Sequence, residues 1–182
     1  MISAALAILK TDEERNELSE IYERNKDTFY SIALSKLHTK HDAEDAVQEA
    51  FLAIAKNPEV FFGISPEHRV SYINVIIRNI SFKLWNKKNH IVEKETELYD
   101  DIPDEHISTE EEVLSDASCD CVLRFIDTLP EGTKAAIYLR MSLELKNSEI
   151  ANVLGITEDA VKKRISRGLQ QIKQYMEELK NE

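Results

Sequence analysis

Glycine and proline are scarce in this sequence, four of each in 182 residues. So few turn formers argue against a chain of many short strands and tight hairpins, and no run of alternating β-branched residues stands out. An all-α fold is therefore expected, with 42% hydrophobic residues enough to fill one large or two small cores. Cysteine is confined to Cys119 and Cys121, in one Cys-Asp-Cys triplet. That spacing disfavours an unstrained disulfide, and two thiols do not close a zinc site. Reduced cysteines, no metal and no cofactor are expected. No apolar run approaches the roughly 20 residues that span a bilayer, and the opening MISAALAILK has no basic lead before its apolar stretch. No membrane span is expected, and a cytoplasmic location is. Arginines are sparse in the first half: Arg15, Arg24, Arg69 and Arg78, widely scattered. A DNA-cutting enzyme would need a Ser or Tyr nucleophile among clustered arginines, so no catalytic residues are expected.

What is abundant is acid, but only in one place. Residues 93–120 hold twelve acids and one base, which accounts for the whole net charge of −11. The flanking parts are near neutral and can carry local basic faces. The acidic stretch, poor in large hydrophobics and interrupted by Pro103, is expected to be an extended linker. It separates an N-terminal domain, residues 1–92, from a C-terminal domain, residues 121–182. Stretched at ~3.3 Å per residue it reaches roughly 90 Å, more than the about 70 Å of two duplex turns. It could be a passive tether, or it could imitate nucleic acid in a basic channel of a partner.

The C-terminal domain contains the stretch KNSEIANVLGITEDAVKKRISRG. Ile150, Ala151, Val153 and Leu154 give one short helix an apolar face, and Val161, Ile165 and Leu169 do the same for the next. Gly155 suits the left-handed residue that ends a helix. Thr157, followed by Glu158 and Asp159, suits an N-cap with an acidic first turn. This is a helix-turn-helix pattern whose second helix bears Lys162, Lys163, Arg164 and Arg167. Such a helix fits a major groove, its first residues toward base edges and the later cations toward phosphates. Helices are also expected over Cys121–Leu129 and Glu131–Ser142, the latter exposing Lys134 and Arg140 and burying Met141. Gly168, inside the last helix, is expected to mark close helix packing.

In the N-terminal domain, residues 11–37 read as one or two helices, with the opening apolar nonapeptide covering a groove. His38 and His41 lie one turn apart if the helix runs through them, without a metalloprotease pattern. Asp42 to Lys56, DAEDAVQEAFLAIAK, pairs an apolar face with a stripe of Asp45, Gln48, Glu49 and Leu52, Asp42 being the expected cap. An acidic stripe with an exposed leucine suits docking on a basic helical partner. Residues 57–66, NPEVFFGISP, read as a break whose apolar side chains fold back onto the core or form a pocket. A long helix, Glu67 to Lys88, buries Val70, Ile73, Ile76, Ile77, Ile80 and Leu84. Its other side shows Tyr72, Arg78, Asn79, Lys83, Asn86 and Lys87, the mixture of aromatic, amide and cation that unpaired bases and phosphates require.

Taken together, these motifs resemble a bacterial RNA polymerase sigma factor of the small, two-domain extracytoplasmic-function type. HDAEDAVQEAFLAIAK is similar to the polymerase-binding segment of region 2, and RVSYINVIIRNISFKLW to the helix that melts and reads the minus-ten element. TLPEGTKAAIYLRMSLELKNSEIANVLGITEDAVKKRISRGLQQIKQ is similar to region 4. The resemblance implies that Asp42, Asp45, Gln48, Glu49 and Leu52 face the clamp helices of the polymerase β′ subunit. It implies minus-ten contacts at Phe61, Phe62, Tyr72, Arg78, Asn79, Lys83, Asn86 and Lys87, with residues 61–65 holding a flipped-out base. For the minus-thirty-five duplex it implies Thr157, Glu158, Asp159, Lys162, Lys163, Arg164 and Arg167. Core polymerase, touched at the β′ clamp and the β flap, and promoter DNA are the implied partners; many relatives also answer to an anti-sigma protein. Two departures stand out: only Lys87 and Lys88 replace the usual arginine-rich helix end, and Lys83 stands where the family often has an acid. A stand-alone helix-turn-helix regulator is the alternative, but it gives no reason for the stripe on residues 42–56.

Overall fold

The computed structural model describes residues 2–89 and 116–180. Nine helices and no strand are found among them: α1 (Ser3–Ile8), α2 (Asp12–Leu37), α3 (Lys40–Lys56), α4 (Pro58–Gly63), α5 (Pro66–Lys88), α6 (Asp116–Thr128), α7 (Glu131–Met141), α8 (Asn147–Leu154) and α9 (Glu158–Lys180). Most of the expected linker, up to residue 115, lies outside the described residues. Its last five residues, 116–120, are the start of α6 rather than extended chain.

α2 is one helix, not two. Thr11 caps it with a reciprocal box: the Glu14 amide donates to Thr11 Oγ1 at 3.2 Å, and the Thr11 amide to Glu14 Oε2 at 3.3 Å. It ends where His38 turns left-handed, φ 63°, so His38 and His41 fall on separate elements. α3 starts earlier than the sequence suggested. Its cap is Thr39, whose hydroxyl accepts the Asp42 amide at 3.3 Å; Asp42 lies inside the first turn. The break at 57–66 is itself helical, because Pro58 fits the first turn of a helix. Its side chains fold back: Val60, Phe61 and Ile64 are buried.

α2, α3 and α5 surround the N-terminal core. Phe51 of α3 sits edge-on to Tyr22 and Phe29 of α2, centroids 5.3 and 5.7 Å away, with Ile73, Ile76 and Ile77 of α5 fully enclosed. Each such side chain stabilises the fold by roughly 1.5–3 kcal/mol. α1 covers α3 with Ile2, Ala5 and Leu9 buried, and Arg15 satisfies its end through the carbonyls of Leu6 and Leu9.

The C-terminal core joins Ala136 and Leu139 of α7, Ile150 and Leu154 of α8 and Val161 of α9. Met141, expected inside, is 52% exposed because α7 ends there. Lys134 and Arg140, expected outside, are half-buried; Lys134 pairs with Glu131 at 3.0 Å and Arg140 donates to Asn147. Gly168 faces α7: a Cβ there would stand 2.6 Å from Ile137 Cδ1 and 2.7 Å from Thr133 Cγ2. Gly168→Ala should therefore destabilise by about 1–3 kcal/mol instead of giving the ~1 kcal/mol that helix propensity alone promises. A urea melt reads the sign.

The two helical groups are not apart. α5 lies against α7 and α8, and the buried residues of both groups form one cluster.

Candidate polymerase and nucleic-acid interfaces

The residues expected to make contacts fall on three surfaces. On α3, Asp45, Gln48 and Glu49 are exposed and Leu52 is half-buried beside them. Asp45 is 3.6 Å from His41 Nε2. Asp42 differs from its neighbours: its carboxylate takes Lys88 Nζ at 2.5 Å and the Thr39 hydroxyl. The hydrogen bond from Lys88, then that from Thr39, holds the Asp42 carboxyl below the usual carboxylate range. Asp42 thus ties the start of α3 to the end of α5, leaving Asp45, Gln48 and Glu49 as an acidic ridge open to solvent.

α9 carries the residues expected to meet a duplex. The Ala160 amide donates to Thr157 Oγ1 at 3.2 Å, fixing the helix start. Gly155 adopts φ 60°, ψ 48°, the left-handed turn between α8 and α9. Glu158 and Asp159 are exposed in the first turn, as are Lys162 and Lys163 one turn on. Lys162 stands 3.7 Å from Asp159. Arg164 and Arg167 are half-buried. The guanidinium of Arg164 lies over Gly132 in α7, in space that any side chain there would fill.

The residues expected to meet the minus-ten element divide. Arg78, Lys83 and Lys87 are exposed and Phe62 is half-buried. Phe61, Tyr72, Asn79 and Asn86 are buried, at 0, 1, 4 and 6% exposure. Tyr72, Asn79, Lys83 and Asn86 recur along one side of α5, and two of them, Tyr72 and Lys83, interact with α8. Lys83 Nζ donates to the carbonyl of Leu154, the last residue of α8. The Tyr72 hydroxyl is pushed well above its ordinary pKa, first by burial and then by the charge of Glu149 in α8. Further along, a cleft of about 310 Å³ separates Ser71, Val75 and Arg78 from Glu131 and Tyr138. The face that resembles a strand-reading surface is thus partly covered by α7 and α8.

Sequence reasoning missed Arg69 and Glu17. Arg69 is only 8% exposed and pairs with Glu17 of α2. An isolated arginine in an acid-capped helix carried no local signal; its partner lies 52 positions away.

Comparison with known proteins identifies the family. Residues 21–90 match the profile of sigma-70 region 2 and residues 119–172 that of sigma-70 region 4. The ECF RNA polymerase sigma factor SigE of Mycolicibacterium smegmatis is 28% identical over 159 residues, 86% of this chain. The chain spans 60% of that relative's length. ECF RNA polymerase sigma factor SigW of Bacillus subtilis is 26% identical over 174 residues, covering 91% of this chain and 92% of the relative. RNA polymerase sigma factor SigV of the same organism is 28% identical over 153 residues, or 80% and 82%. Such a protein is a DNA-binding subunit of transcription initiation with no catalytic role of its own. The chain belongs to the sigma-70 family, in its extracytoplasmic-function group. Sigma factors of this kind direct RNA polymerase to promoters. Among the described residues no helix is long and apolar enough to cross a membrane.

Proposed function

We propose that the chain works by recruitment, without covalent chemistry, through three named surfaces. The ridge of Asp45, Gln48, Glu49 and Leu52 docks on the β′ clamp helices, and region 4 lies near the β flap. The first turns of α9, from Thr157 to Lys163, meet the minus-thirty-five duplex. α5, with residues 57–65, captures unpaired bases of the minus-ten element, where stacking adds ~1–3 kcal/mol per base. The observation that carries this reading is the exposed acidic ridge on a helix whose opposite face is core: a DNA reader acting alone has no use for it.

α5 serves DNA in this scheme only after α7 and α8 leave it. Docking on polymerase, which holds the two promoter elements apart, supplies that separation. Should an anti-sigma protein control this chain, the same covered face is where it would act.

Lys163→Ala tests the upstream contact. Binding to a minus-thirty-five duplex should fall about tenfold, with the salt slope reduced by about one if the contact is a phosphate. Affinity for core polymerase should not change. A gel shift with and without core polymerase separates this reading from a self-sufficient regulator, since only the latter retains full promoter affinity without the enzyme.

A further inference from the structure

Between α4 and α5 the chain makes a tight passage, Gly63–Ser65, held to its own backbone by Ile64 N–H to Phe61 O at 3.2 Å and His68 N–H to Ser65 O at 2.9 Å. Arg69 grips it from behind. Its Nε donates to the Ile64 carbonyl at 3.0 Å and an Nη to the Phe62 carbonyl at 2.9 Å. The other Nη pairs with Glu17 of α2. The guanidinium also lies 5.7 and 5.4 Å from the ring centres of Phe61 and Phe62. A buried guanidinium with every edge engaged is a rigid bracket, because its planar fork fixes several acceptors at once. A lysine has one nitrogen and cannot span two carbonyls, a carboxylate and two rings.

A cleft of about 410 Å³ opens on this passage, walled by Glu59, Gly63, Ile64, Ser65 and His68 and closed across by residues 142–146 of the α7–α8 connection. Arg69 is not among its walls; it sits behind them. We propose that Arg69, oriented by Glu17, is a positioning residue that sets the shape of the 61–65 wall and thereby which unpaired base the wall accepts. A pocket discriminates only when its atoms are held in place before the ligand arrives. Here one side chain ties two carbonyls of the 61–65 segment, those of Phe62 and Ile64, to α2. This rests on the reading of residues 61–65 as the base-holding segment.

The test uses full-length protein in complex with core polymerase. Non-template minus-ten strands are scanned one position at a time through all four bases, with 2-aminopurine fluorescence reporting the unstacked position. In the unaltered protein the scan locates the captured base; if no position shows both a preference and a fluorescence change, the base-holding reading itself fails. Once located, Arg69→Gln should reduce discrimination at that position by roughly tenfold, the scale of one mismatched base. Other positions, core affinity and minus-thirty-five binding should stay unchanged. Glu17→Gln should reproduce the loss at the same position more weakly, and it decides the matter if Arg69→Gln does not fold. Arg69→Lys should fail to rescue. Unaltered discrimination in a folded variant, or a uniform loss at all positions that follows a fall in Tm, overturns the proposal.

Discussion

Asp45→Lys should lower affinity for core polymerase by about two orders of magnitude, because a like charge placed on a docking surface costs several kcal/mol. Its side chain is exposed in the middle of the α3 ridge, so the fold should shift by no more than about 0.5 kcal/mol. Titration of labelled protein with core enzyme reads the affinity, and a thermal melt checks the fold. Binding to an isolated minus-thirty-five duplex should be unaffected, the inverse of Lys163→Ala. Asp42→Ala should do much less to docking, since that carboxylate already faces Lys88 and Thr39; its cost should appear as looser attachment of α5. Unchanged core affinity in Asp45→Lys would move the docking site off α3.

The second large effect is a gain. Tyr138 of α7 lines the cleft opposite Val75 and Arg78 of α5. Tyr138→Lys sets a cation against Arg78 and removes an apolar contact, so the two helical groups should part. The residues proposed to touch DNA are left intact. Small-angle scattering should show a larger radius of gyration. Affinity of the free protein for a minus-ten single strand should rise, by the reciprocal of the open fraction: about tenfold if a tenth of the molecules are open beforehand. No gain, with expansion confirmed, would mean that α5 is not the strand-binding face.

Much of this architecture is readable from the residues because local rules and tertiary packing agree. Gly155 by its left-handed backbone and Thr157 by its side-chain cap fix the turn between α8 and α9 through local chemistry, and the helices around them follow their apolar periodicity. Thr39 was readable in principle: Thr39-x-x-Asp42 has the spacing of a cap and its third helical residue. What sequence could not convey is which polar face is covered. Tyr72 and Lys83 have the chemistry of a base-reading surface and equally that of a polar interface between helical groups. Only the position of α7 and α8 decides between them. Arg69 was invisible for a related reason, since its burial is created by Glu17 and by carbonyls of a preceding turn. Met141 fitted the apolar period of α7, but the helix ends at it and leaves it outside.

Lys83 shows what the covered face entails. Its ammonium holds the Leu154 carbonyl, so a phosphate that takes this donor must displace α8 from it. If α5 takes the strand as proposed, α7 and α8 are a competitor carried on the same chain, and their effective concentration is unaffected by dilution. Diluting the protein detaches polymerase and promoter alike, yet leaves this rival at full strength.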